Sequence, residues 1–466
     1  MSASNRLPFW RWIRALVYLG LGLFFFLLPG LRLVSDLNDP ALKSGAIPQA
    51  AWRLHNSLAF KYAAWANGRL ASNRAEQLGT AKASSTAFDP DVAGTEWPLF
   101  GSVFYLWSEE SLQAAWEADP KQASVAPVVY AHEAIEAAAN LVTDPRQAAW
   151  VQQYWGPNYL HHQNLFYRFL LISAMTSYTH LTGNPRFVEP LRDQVETLSA
   201  EIDASPHGLV EDYPGQCFPT DIIGAITAIR RADAVLQMDH SAFVNRAIRG
   251  FQPPQADAFG LPPYMAGIQS GLPRGGSRGC GTSFALICAP EIWPVVAKVW
   301  SKAYDTNFWQ EHWGLVGFRE YARDSPEAQF MGDVDSGPVL LEYGFAASAF
   351  GTGAARANGR MDEAGPLSAE MLVSSWPLPT GTLMIPRLLS SATDAPYLGE
   401  AGILYCLTRQ PLIGITVMPC TSVMTPFVWG MMAIYLGVTA FLALPFLELI
   451  CSAYRSNPKH GVKAQI

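Results

Sequence analysis

The sequence predicts an all-α protein: a closed (α/α)6 toroid of helical hairpins, with one transmembrane helix near each end of the chain. Three observations predict it. Apolar residues recur every three to four positions through the middle of the chain, short and long connections alternate between those stretches, and an uncharged apolar run stands near each terminus.

Composition comes before the elements. Half of the 466 residues are hydrophobic and 15% are charged, so the chain is too apolar for disorder and long enough for a large core. Soluble proteins carry nearer a quarter charged residues, so the apolar excess is concentrated somewhere. Lys+Arg 32 against Asp+Glu 39 gives −7, and no long basic run occurs, which argues against a nucleic-acid partner.

The first run, Ala15 to Leu31, follows Arg6, Arg11 and Arg14 and precedes Asp36 and Asp39. No small-x-small cleavage site follows it, so it reads as an uncleaved anchor over 15–32. The second run is uncharged from Pro411 to Leu447, reaches spanning length over 427–447, and is followed by Arg455, Lys459 and Lys463. Positive residues outside both spans put 1–14 and 448–466 in the cytoplasm, and 33–410 on the periplasmic face of a bacterial inner membrane.

Between the spans the period is helical. Asn184 caps a helix with Pro185 at its first position, and Phe187, Leu191, Val195, Leu198 and Ile202 share one face. Further helices are expected over 50–78, 108–118, 125–143, 145–154, 158–182, 221–238, 241–249, 284–304, 307–323, 338–356 and 361–373. Short links at 182–184 and near Asp239, Asp305 and Gly359 alternate with long loops at 204–220, 250–283 and 324–337. In an antiparallel array every second connection lies at the same end, so the long loops should converge on one mouth. The segment 79–107 breaks that parity unless 108–118 is supernumerary.

The loops hold the residues able to do chemistry. SPHGLVEDYPGQCFPTD (205–221) packs Glu211, Asp212, Tyr213, Cys217 and Asp221 together, enough for an acid, a base and an orienting donor. Asp221 reads more naturally as a helix cap, and Cys217 reads equally as a small buried hydrophobe. GLPRGGSRGCGTSF (271–284) sets Arg274, Arg278 and Cys280 among five glycines. That is an anion cradle, or more simply a flexible lid or a tight turn. GDVDSGP (332–338) pairs Asp333 with Asp335, where repulsion can raise one carboxyl, or where both cap the helix after them. TEWPLFG (95–101) places Glu96 beside Trp97 and Phe100, an aromatic setting that would desolvate the acid. The histidines His161, His162 and His180 read as ordinary helix residues. Six scattered cysteines make no disulfide framework, and neither CxxC nor HExxH occurs, so zinc is not expected.

SYTHLTGNPRF (177–187), HGLVEDYPGQC (207–217) and GDVDSGP ahead of a small-residue helix resemble the linalool dehydratase/isomerase family over residues 95–360. The resemblance implies an (α/α)6 barrel, a periplasmic location, and cofactor-free removal or addition of water at a tertiary or allylic alcohol. Under it Cys217 matches the family's loop cysteine, Glu96 its acidic residue ahead of a Pro and a Phe, and Glu211 loosely its second acidic position. Two family positions have no counterpart: a second cysteine, which would fall near Val210 and Glu211, and a helix histidine, which falls on Leu170.

The expectation is therefore a membrane-anchored enzyme acting on a small apolar alkenol. Glu96, Glu211, Tyr213, Cys217, Asp333 and Asp335 are the candidate catalytic residues, with Trp97, Phe100, Arg278 and Cys280 against the substrate. The alternatives are a glycan-processing toroid, with two carboxylates flanking a glycosidic bond, and a non-catalytic domain binding a lipid or envelope partner.

Overall fold

The computed structural model describes residues 9–72, 77, 90–326 and 332–455. Residues 1–8 and 456–466 of the expected tails, the stretch 78–89, and 327–331 of the third loop lie outside the described residues. The chain is mostly helical, 67% helix and 6% strand. The helices of eight or more residues are α1 Phe9–Leu37, α2 Gln49–Leu70, α3 Pro90–Ala118, α4 His132–Thr143, α5 Leu165–Thr182, α6 Val188–Ala204 and α7 Pro219–Leu236. After them come α8 Gly279–Ile292, α9 Pro294–Phe308, α10 Phe345–Ala357, α11 Met361–Ser375, α12 Met384–Ser391, α13 Leu398–Thr408 and α14 Pro426–Arg455.

Six of them are neighbours in succession: α3 packs on α5, α5 on α7, α7 on α8, α8 on α10, α10 on α13 and α13 on α3. The others return between them, with α4 against α3 and α5, α6 against α5 and α7, α9 against α8, and α11 against α10. One apolar core runs from Leu33 to Tyr435. Small residues permit the closest approach, as at Gly351 of α10, where an added Cβ would stand 2.3 Å from the Phe318 ring.

The strands correct the all-α expectation. Over 307–323, α9 ends at Phe308 and a hairpin follows, β1 Trp309–His312 with β2 Leu315–Phe318. Its two turn residues, Trp313 and Gly314, both have positive φ, 57° and 76°, the twist that a two-residue hairpin turn needs. Over 338–356 the chain first forms β3 Gly332–Asp333, β4 Gly337–Leu340 and β5 Tyr343–Gly344, turning through Leu341 and Glu342 at φ 52° and 70°, and α10 starts only at Phe345. The helix expected over 284–304 is two, broken at Trp293 where Pro294 opens α9. The short link expected near Asp305 is thus at Trp293, and Asp305 is helical.

The segment 90–118 is one helix, although Pro98 stands inside it. A proline has no N–H, so the carbonyl four residues earlier loses its helical donor. Here Gly94 O accepts from Arg69 Nη2 at 2.6 Å instead. The same substitution recurs at Pro290, where Leu286 O accepts from Asn358 Nδ2 (2.8 Å), and at Pro29, where Phe25 O accepts from Trp376 Nε1 (2.7 Å). Each proline in these helices becomes a point where another element is pinned, and α3 thereby counts as a core helix. That resolves the parity of the connections.

α1 and part of α14, Pro426–Ser452, are long and apolar enough to cross a membrane. They pack antiparallel, with Trp12 edge-on to Phe446 (6.2 Å) and Gly30 under Tyr435. α1 is a single element through a π turn at Leu23–Leu27 ahead of Pro29. Its far end is tied to the domain by the buried Asp36, paired with Arg53, and by Arg32 Nη1 on Leu378 O (3.1 Å).

Candidate functional site

The three long loops touch one another at the N-terminal ends of α7, α8 and α10. Ala266 N–H donates to Cys217 O (3.0 Å), joining the second loop to the first. The Tyr264 hydroxyl donates to Asp335 Oδ2 (2.6 Å), joining the second to the third. On α3, Glu96 accepts from the Tyr213 hydroxyl. Two carboxylate–phenol pairs result, Glu96 with Tyr213 and Asp335 with Tyr264.

An aromatic path connects the pairs. Ring centroids step from Phe284 to Phe100 (5.8 Å), Phe166 (5.7 Å), Tyr213 (6.3 Å), Phe218 (6.3 Å) and Tyr264 (5.3 Å). These lie in the 4.5–7 Å range of favourable aromatic contacts. Phe100 thus belongs to the lining, whereas Trp97 stands half-buried outside this run of rings.

Two further carboxylates stand among them. Asp212 is buried, its Oδ2 accepts from Phe218 N–H at 2.7 Å, and its Oδ1 makes no hydrogen bond. Burial, then the charge of Asp221 and a smaller push from Glu96, raise its carboxyl well above the usual range. Asp221 sits in the first turn of α7 without bonding any of its N–H groups, so the capping role expected for it is not the one it plays. Burial and then Asp335 lift it to about 7. Asp335 is open on one side, yet desolvation by the protein around it still raises it, against the hydrogen bond from Tyr264 and with help from Asp333. These acids repel one another, so they bind and release protons as a set. The Tyr213 phenol is raised too, by burial and then by Glu96, which keeps it a donor.

Behind the set lies a closed ionic group that removes several expected residues from direct chemistry. Arg278 is buried, grips Asp333 with Nη1 and Nη2 (2.6 and 3.0 Å), donates from Nε to Glu320 Oε1 (2.8 Å), and stacks over Tyr264 at 4.4 Å. It is therefore a clamp between strands and loop, not a free cation for substrate. Asp333 also accepts from the N–H groups of Asp335 and Ser336 (3.1 and 3.0 Å). Burial opposes its ionisation, but the Arg278 bonds outweigh that and hold it below the usual range, so it is an anchored anion. The Cys280 thiol donates to Glu320 Oε1 (3.2 Å), and burial keeps it a neutral thiol. Glu320 is fully buried, and desolvation outweighs Arg278 to place it at about 7.

Glu211 closes its own turn: its Oε2 accepts from Gly215 N–H at 3.0 Å. Cys217 is sealed in the core with its thiol raised by burial and by Asp212 and Asp221, so it is no thiolate nucleophile. Of the histidines, His161 pairs with Asp193 (3.0 Å) ahead of α5 and His180 lies at its other end. Asp212, Asp221, Tyr264 and Glu320 are not among the catalytic or substrate-facing residues that the sequence singles out. Asp212 neighbours Tyr213 in the loop and Asp221 opens a helix, which are weak signals. Tyr264 and Glu320 carry none.

A cavity of about 620 Å³ lies at the opposite end, lined by the C-terminal halves of α5, α7 and α8 with Arg409 and Gln410 after α13. Its charges are largely matched. Arg231 holds Glu291 through two bonds, and Arg230 holds Asp233 (2.8 Å). Arg409 is spent on Trp107 O, Tyr405 O and Ser111.

No family model matches the chain. No curated protein matches it.

Proposed function

We propose that this chain is a membrane-anchored (α/α)6 toroid whose domain faces the periplasm with both termini cytoplasmic, and that it performs cofactor-free acid–base chemistry on a small apolar alkenol. The successive neighbours α3, α5, α7, α8, α10, α13 and α3 support the toroid, and the flanking cations support the orientation. One observation carries the chemistry: two carboxylate–phenol pairs are joined by a run of aromatic rings, with Asp221 between them at about 7.

In this reading protonated Asp221 gives its proton to the leaving hydroxyl. The C–O bond breaks with its electron pair on oxygen, which departs as water. Positive charge developing on carbon lies against ring faces. Glu96 or Asp335 then takes a proton from the neighbouring carbon, and that C–H pair becomes the new double bond. Running the steps backward adds water, and protonating a different carbon isomerises the alkenol. A group poised near the working pH suits both directions.

The test is turnover of tertiary and allylic alkenols by the full chain in lipid nanodiscs, read by gas chromatography between pH 5 and 8. The wild-type protein should interconvert at least one alkenol with its dehydrated or isomerised product, and Glu96→Gln should lower turnover by about 10²- to 10⁴-fold. No turnover of any alkenol, or unchanged turnover in Glu96→Gln, contradicts the reading.

A further inference from the structure

The end of the domain that carries the acids is also the end from which the two apolar helices depart. The Trp376 ring, just past α11, packs on Phe26 (5.3 Å) and Tyr435 (4.5 Å), and Tyr435 donates to Val373 O (3.0 Å). Tyr435 is about 14 Å along α14 from Pro426, and Phe25, which accepts from Trp376, is about 9 Å inside the uncharged run that ends at Leu31. The hydrocarbon core of a bilayer is about 30 Å thick. The last turn of α11 is therefore level with apolar segments well inside both candidate spans.

α12 follows that turn directly and leads into α13, whose Leu398 lies beside Gly101, little more than a turn after Glu96 on α3. α12 has two unlike faces. Arg387 is turned inward, paired with Glu400 and stacked over Tyr397, while Ile385, Leu388 and Leu389 point outward with 37, 61 and 59% of their surface exposed. Spacing of three and four residues makes those three one stripe. Leu340, Leu341 and Phe345, around the start of α10, are exposed as well. Two cations stand at the turn before α12: Arg32 on Leu378 O, and Lys61 Nζ on Thr382 Oγ1 (2.9 Å). An apolar stripe beside lysine and arginine matches the boundary between acyl chains and phosphate headgroups.

We propose that the acid-bearing end of the domain is seated in the bilayer, with α12 lying in the headgroup–acyl boundary, so that the carboxylates are reached from the lipid. The occupant of this surface is the membrane itself, because the rim continues the lipid-facing surface of α1 and α14. The proposal rests on reading those two helices as membrane spans. It makes the ligand one that partitions into lipid, delivered without crossing water.

The experiment uses the full chain in proteoliposomes of phosphatidylethanolamine and phosphatidylglycerol. Cys451→Ser removes the exposed cysteine among those described, the other five being buried. A nitroxide is then placed by Leu388→Cys, or by Val295→Cys at the opposite end, where Val295 is 76% exposed. Collision rates with oxygen, which concentrates in lipid, and with a water-soluble nickel chelate are compared. The oxygen-to-nickel ratio at 388 should exceed that at 295 by at least tenfold. Equal ratios in protein that resists carbonate extraction overturn the docking while leaving the spans standing. Release of the protein by carbonate overturns both.

Discussion

The two ends of the inner helices carry similar residue types in opposite arrangements. At the C-terminal end each arginine has a fixed partner: Arg231 with Glu291, Arg230 with Asp233, Arg409 with backbone carbonyls and Ser111. Burial raises Glu291, but Arg231 more than offsets it, so that carboxylate stays ionised at neutral pH, although Glu110 nearby is raised by its own burial. At the N-terminal end Arg278 is taken by Asp333 and Glu320, and Asp212, Asp221 and Asp335 face a phenol, an N–H and each other. A matched ion pair is a strut, whereas like charges crowded together hold protons that move near neutral pH. The cavity of about 620 Å³ lies at the strutted end, so volume and crowded acids point to opposite ends of the domain.

The largest effect expected from this contrast is on turnover. Replacing Glu96 by Gln or Asp221 by Asn should cost about 10²- to 10⁴-fold, the range for losing a positioned acid or base. Glu291→Gln should leave turnover per folded molecule within a fewfold of wild type. Comparable losses at both ends would erase the distinction.

Next in size is stability at the strutted end. Arg231→Met strands Glu291 in a half-buried site and should cost about 3–5 kcal/mol in urea unfolding, with most of it recovered in Arg231→Met/Glu291→Leu. A double variant no better than the single would mean that the pair is not the strut.

Trp376→Phe removes the donor that satisfies Phe25 O, the carbonyl freed by Pro29, and should lower stability by about 1–3 kcal/mol. Loss of α1–α11 contact, read by crosslinking, should accompany it.

The smallest effect carries a sign. Asp221 is raised from an unfolded value of about 4 to about 7, so the folded state holds a proton there that the unfolded state has released. Its contribution is favourable at low pH and declines as pH rises from about 4 through about 7. Asp221→Asn should therefore raise the Tm relative to wild type at pH 8 and not at pH 4. The reverse order would mean that Asp221 is ionised comfortably in the fold.

Much of the fold was legible where local rules act alone. Asn184 accepts from Arg186 N–H as its cap position implied, α5, α6 and α7 follow their periodicity, and both apolar runs are helical. The sequence was misleading where tertiary partners override local signals. Pro98 marked a break in α3 because nothing near it in sequence announces Arg69 as the donor that spans the gap. α13, LGEAGILYCLT, is apolar on nearly every side and shows no polar face to betray its period. Trp313–Gly314 and Leu341–Glu342 are not common hairpin-turn pairs, so the strands passed for helix. At the site, Glu96, Tyr213 and Asp335 stood out by chemistry alone. Arg278 could not be assigned from sequence, since the same guanidinium suits a substrate anion or Asp333, and only the fold chooses.

The proposed chemistry requires these acids to exchange protons with carbon. Incubating the full chain in nanodiscs with an interconverting alkenol in D2O, and reading the recovered alkenol by mass spectrometry, tests it most directly. Deuterium should enter the carbon next to the oxygen-bearing one, fastest below about pH 7, and the labelling should be lost in Asp221→Asn. Recovered alkenol free of deuterium across pH 5 to 8, or labelled equally by wild type and Asp221→Asn, would contradict it.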